Sequence, residues 1–171
     1  MAHAKRIQVG LGKENRWASR PTPGSHKWKS SIAVVTALRD VLGLVGNAKE
    51  AKKVMVDGLL LVDGVVEKNH KRGLGLMDVI ELPRLKKSYR VVPTKKGLEI
   101  IEIDSKDSKV KLCRVVGKRT VSGGRTQLSF HDGTTVLDEK KEFKVNDTAV
   151  LSLPDRKVKK QIGRASCRER V

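Results

Sequence analysis

From Ser31 onward the apolar positions Ile32, Val35, Leu38, Val41 and Leu42 recur at helical spacing, with Arg39 and Asp40 on the opposite side, and Gly43 closes the run. Asn47 then offers an N-cap with Glu50 three residues on, the signature of a capping box opening a second helix, Ala48 to Val56, whose apolar face includes Ala48, Ala51 and Met55. Asp57-Gly58 ends that helix. The run Leu59 to Val62 reads as a short strand, and Asp63-Gly64 is a strong two-residue hairpin signal that sends Val65 and Val66 back alongside it. After the loop EKNHKRGLG, the stretch Leu76 to Leu82 alternates well enough for another strand.

Beyond Pro83 the pattern changes to short alternating runs separated by turn signals: YRVV, TKKG and LEIIEI, then KLCRVVGKRTV, SGGR, TQLSF, HDGT and EFKVNDTAVLSLPD. Regular strand-and-turn spacing without a long helical period predicts a small all-β, barrel-like domain. Residues 1–30 follow neither period. Pro21, Pro23 and Gly24 forbid a continuous helix there, and the segment reads as an extended basic arm with Trp17 and Trp28 as packing anchors. The expected architecture is α+β: the arm, a helix-pair-plus-hairpin module at 31–87, and a β domain at 88–161.

Charge sharpens this picture. The 171 residues carry 37 Lys and Arg against 19 Asp and Glu, a formal net charge of +18, which calls for a polyanionic partner. A run of about 18 apolar residues, as a membrane span needs, does not occur, and the start mixes charge and Gly rather than forming a secretory leader. A cytoplasmic chain with no membrane partner is expected. Aromatics make up only 3% of residues, which favours recognition of phosphate and shape over a stacking-based reader of single strands.

The last ten residues, IGRASCRERV, continue no periodicity, and one back-translation of them reads in frame as a common short-read sequencing adapter. Residues 162–171 are therefore expected to be non-native. Setting them aside removes three Arg and one Glu and leaves the argument from charge intact. It also leaves Cys113, inside the alternation KLCRVV, as the single cysteine, read as a small core hydrophobe.

No catalytic constellation presents itself: there is no P-loop, no nucleophile elbow and no paired-His motif. His131-Asp132-Gly133 places a His beside a carboxylate, but adjacent residues point different ways, and a turn fixed by Asp and Gly is the better reading. No catalytic residue, cofactor, metal site or small-molecule substrate is expected.

The motifs HAKR (3–6), WASRPTPGSH (17–26), EAKKVMVDGLLLVDG (50–64), GLMDVIEL (75–82), QLSFHDGTTVL (127–137) and KVNDT (144–148) together resemble, in order, ribosomal protein 4 of the small subunit, eukaryotic/archaeal type, and point to an archaeal member. The resemblance covers 1–161. It implies that the helix pair and hairpin are the RNA-binding module also found in bacterial ribosomal protein 4, some pseudouridine synthases and some tRNA synthetases. It further implies a structural role in the small subunit: binding ribosomal RNA beside neighbouring small-subunit proteins and supporting assembly and translation. The family normally continues into a KOW-type barrel, which has no counterpart here. Many such modules open their second helix with Ser-Arg, where this chain has Asn47 and Lys49.

The candidate RNA contacts are Lys5, Arg6, Arg16, Trp17, Arg20, His26 and Lys27 from the arm, and Arg39, Lys49, Lys52, Lys53, His70, Lys71 and Arg72 from the module. Lys118, Arg119 and Arg125 complete the set from the β-domain turns. The arm is expected to order only on RNA. The main alternative is a free-standing RNA-binding or RNA-chaperone protein using the same module away from the ribosome.

Overall fold

The structure is a computed structural model describing residues 19–94, 97–138 and 143–163. The chain divides into two compact units, at Lys109/Val110.

In the first unit, β1 (Ile32–Ala33) pairs antiparallel with β4 (Gly73–Leu74). The chain then turns straight into α1, one α-helical turn (Val34–Thr36) continuing as a π-helical segment (Ala37–Val41), where the amide of Leu42 bonds to the carbonyl of Ala37 at 2.9 Å. Ile32, expected in the helix, is thus in a strand. Gly43, at φ +60°, ends the helix as expected, and the Leu44 amide reaches back to the Leu38 carbonyl at 3.0 Å. The first free amides of α1 find partners in a distant loop: Val34 N–H donates to Arg72 O (3.0 Å) and Val35 N–H to His70 O (3.1 Å). That pairing fixes where the 67–72 loop sits.

α2 spans Ala48–Val56, and its N-terminus is closed by the Glu50 carboxylate, which accepts from the amides of Gly46 (2.9 Å) and Asn47 (3.3 Å). β2 (Leu61–Val62) and β3 (Val65–Val66) are joined by Asp63 (φ +53°) and Gly64 (φ +77°), the left-handed pair that a type I′ hairpin requires. The Asp63 carboxylate also accepts from the Val79 amide, tying the turn to β5 (Val79–Leu82). That strand starts later than the pattern suggests. Met77 takes φ +67° and Asp78 turns inward, so Leu76 to Asp78 is a turn.

β6 (Lys87–Thr94) and β7 (Gly97–Ile103) complete an antiparallel sheet of order β3-β2-β5-β6-β7. These two strands were expected in the second domain. The chain reverses through a 3-10 turn at Pro83–Leu85 with Lys86 at φ +52°, so β6 returns antiparallel along β5. The core joins α1, α2 and this sheet through residues such as Leu38, Met55, Leu60, Leu74, Ile80 and Val91, each at most 1% exposed.

The second unit is a curled antiparallel sheet of order β10-β9-β8-β11-β12. Its strands are β8 (Val110–Thr120), β9 (Thr126–Phe130), β10 (Thr135–Asp138), β11 (Thr148–Ser152) and β12 (Lys157–Gln161). β8 pairs with β11 through its first half and with β9 through its second, the register shifting between Val115 and Gly117. Alternate residues Cys113, Val115, Leu128, Phe130, Ala149 and Leu151 point to one core, which confirms the reading of Cys113. β12 was not foreseen. Its pairing continues into Ile162, whose amide bonds to Thr148 O, while 164–171 lie outside the described residues.

Candidate nucleic-acid interface

α2 buries Ala51 and Met55 and leaves Lys49, Lys52 and Lys53 exposed on the other side, as spacings of three and four dictate. Among the described residues none of the three has a carboxylate partner. Near Lys52 is the 67–72 loop, held by the α1 amides and by Asn69, whose side chain accepts from the Lys71 amide (3.0 Å) and donates to the Thr22 hydroxyl (3.3 Å). The result is a concentration of like charge. Desolvation, then the positive fields of Lys52 and Lys71, hold the His70 imidazole below its ordinary value.

A third element joins this surface. Thr22 N–H donates to Lys71 O at 2.8 Å, and Pro21 and His26 are buried, so residues 19–30 form a strap docked on the module. The described part of the arm is therefore packed against protein, contrary to the expectation that it orders only on RNA. His26 is the reason. Its Nε2–H donates to the Asp78 carboxylate at 3.0 Å, both side chains at most 5% exposed, while the other Asp78 oxygen accepts from the Gly75 amide at 2.9 Å. The imidazole lies against Gly75 so closely that a Cβ there would collide with the ring. His26, proposed from the sequence as an RNA contact, is buried here and anchors the strap through Asp78.

The strap and Lys71 line a cleft of about 630 Å³. Trp28 lies within it, with the Arg20 guanidinium 5.0 Å and the Lys29 ammonium 5.7 Å from its ring centre. The sequence marks Trp28 as a packing anchor and does not single out Lys29; Lys27 and Lys29 on either side of Trp28 were the local signal, and Arg20, eight residues earlier, could be joined to it only through the fold.

Two other candidates are engaged internally. Arg39 pairs with Asp40 at 2.5 Å and Arg72 with Glu67 at 2.5 Å. Their guanidinium groups hold the protein's own carboxylates, which makes them weaker candidates than the lysines of α2. In the second unit, Arg119 and Arg125 are exposed around the β8–β9 turn, while the Lys118 ammonium donates to Phe143 O at 3.0 Å. Lys5, Arg6, Arg16 and Trp17 lie outside the described residues.

His131 and Asp132 diverge: the imidazole Nδ1 accepts from the Arg114 amide at 3.1 Å, whereas Asp132 is buried with Lys111 at 3.1 Å. The structural reading of that turn holds.

The model described as "Ribosomal family S4e" matches residues 85–158. The chain is 40% identical over 151 residues to small ribosomal subunit protein eS4 of Methanothermobacter thermautotrophicus, covering 88% of this chain and 62% of that protein. It is 41% identical over 157 residues to the eS4 of Staphylothermus marinus, with 86% and 62% covered. The crystal structure of 30S ribosomal protein S4e from Thermoplasma acidophilum superposes with a TM-score of 0.67 at 34% identity, covering 78% of this chain and 69% of that one. The chain belongs to the ribosomal S4e family. It spans 62% of the length of the curated S4e relatives it matches. The α+β architecture is the family's, as the T. acidophilum structure bears out.

Proposed function

We propose that the chain is a structural, non-enzymatic constituent of the small ribosomal subunit, which binds ribosomal RNA beside neighbouring subunit proteins and supports assembly and translation in the cytoplasm. The observation that carries this is the unpartnered cationic face, Lys49, Lys52 and Lys53 beside His70 and Lys71, in a chain whose S4e relatives are named small-subunit proteins. Like charges gathered without carboxylates are stabilised by phosphate, and charge-assisted hydrogen bonds from flexible ammonium groups suit a backbone whose sequence is not being read.

Arg20, Lys27 and Lys29 extend the contact along the strap, and Arg119 and Arg125 form a second patch with Lys118. Lys5, Arg6, Arg16 and Trp17 belong to the same proposal through the arm. Arg39 and Arg72 support the surface by keeping their acidic partners neutralised.

Co-sedimentation of the chain with small subunits reconstituted without it, over a salt series and with large subunits as control, tests the proposal. Retention on small subunits at salt that strips the control supports it. Equal, equally salt-sensitive binding to both refutes subunit specificity and favours the free-standing RNA binder.

A further inference from the structure

The cleft at Trp28 differs in kind from the rest of the positive surface. A face that tracks phosphates needs no depth, whereas this hollow has the size of sites that enclose a small organic group. Apolar and aromatic lining from Pro21, Pro23 and Trp28 sits among exposed Arg20, Lys27, Lys29 and Lys71. None of these four cations has a carboxylate partner among the described residues.

The cleft is also built in advance of any ligand. The His26–Asp78 bond and the Thr22–Lys71 bond pin the middle of the strap to the module, and Arg20 lies over the indole. An apolar hollow ringed by cations fits a nucleotide that has left its stack: the base is desolvated on the aromatic and guanidinium surfaces while the phosphates stay outside with the ammonium groups.

Resting on the RNA-binding reading above, we infer that this cleft takes the base of one unpaired nucleotide, stacked on the Arg20–Trp28 pair, with the flanking phosphates on Lys27, Lys29 and Lys71. The site adds recognition of an extruded base to a surface that otherwise reads only backbone. It explains why a chain with so few aromatic residues places a Trp among cations in the strap.

The test uses the full chain carrying Trp17→Phe in every arm, so that Trp28 is the single tryptophan. The probes are three synthetic RNA hairpins: one with a single-adenine bulge, one with an abasic residue in that bulge, and one fully paired. The bulged hairpin is expected to bind about tenfold more tightly than the abasic one, the scale of one base–aromatic stack, and to quench Trp28 emission. Trp28→Ala erases the difference in anisotropy titrations with labelled RNA, and Trp28→Phe, which keeps an aromatic platform, retains most of it.

Equal affinity for bulged and abasic hairpins, with unchanged Trp28 emission, overturns the inference. The sedimentation series decides the ribosomal reading separately. Small-subunit retention together with indifference to the bulged base would sink the cleft alone, while loss of subunit specificity would remove the reading on which it rests.

Discussion

Gly75→Ala isolates the contact that docks the strap. Gly75 is not in the left-handed region, so the backbone tolerates alanine and the effect rests on space alone. An added Cβ would lie 2.5 Å from His26 Cδ2 and closer still to Cγ and Nδ1. Carbon atoms at contact need about 3.5–4.0 Å, so the ring must retreat by at least about 1 Å, and it is the root of the ring, not a flexible end, that is in the way. His26 therefore leaves Asp78. Losing a hydrogen bond to a buried carboxylate costs about 1.5–3 kcal/mol, and returning part of the imidazole to water adds on the order of 1 kcal/mol, about 2.5–4 kcal/mol in all. Hydrogen exchange of the Thr22 amide, bonded to Lys71 O, reads this directly. Its exchange should quicken by roughly 60- to 700-fold, or to the limit set by the strap's own opening. In a His26→Ala background the clash has no target, so Gly75→Ala should add less than about 0.5 kcal/mol. Full protection in Gly75→Ala, or additive effects in the double variant, would refute the reasoning.

Lys111→Met removes the buried partner of Asp132, each 2% exposed, and should destabilise the second unit by about 3–5 kcal/mol, read as faster exchange of β8 and β9 amides. Burial pushes the Asp132 carboxyl up, but the Lys111 ammonium and the hydroxyl and amide of Thr134 outweigh it and hold the group well below the usual carboxylate range. In the intact protein this stabilisation is present above the unfolded carboxylate value and lost as pH falls below it. In Lys111→Met the depressing charge is gone, so the penalty should shrink between pH 7 and pH 4, and a pH-independent penalty would contradict the assignment. Replacing Lys49, Lys52 and Lys53 by Gln should flatten the log–log salt dependence of RNA affinity by up to about 0.9 per lysine that meets a duplex phosphate; an unchanged slope places RNA elsewhere. Because Lys52 and Lys71 contribute to lowering His70, a phosphate docking there should restore its proton, so RNA affinity should rise from pH 8 to pH 6 and His70→Gln should remove that rise. In the free protein the sign is opposite: the depressed imidazole lowers stability as pH falls through about 6.5.

The parts of this fold that could be read from the chain are those whose chemistry is local. Asp63-Gly64 needs only its own backbone to make a hairpin, and the three α2 lysines needed only helical spacing. What escaped depends on partners far along the sequence. His26 looks like one more cation until Asp78 and Gly75, about fifty residues on, are seen to enclose it, and nothing local to Pro83 shows that β6 returns along β5. Lys111 is the instructive middle case. Its place two residues before Cys113 on a β-run whose inward face is that of the cysteine was enough to send it inward, but a lysine on a core face makes sense only once Asp132, on a different turn, is known to meet it. The net charge of +18 counts all these cations alike. The fold sorts them into those already neutralised by the protein, Arg39, Arg72 and Lys111, and those left without a carboxylate, Lys49, Lys52, Lys53 and Lys71. Only the second group gains by meeting phosphate, so an interface is better located by missing counter-charges than by the density of basic residues.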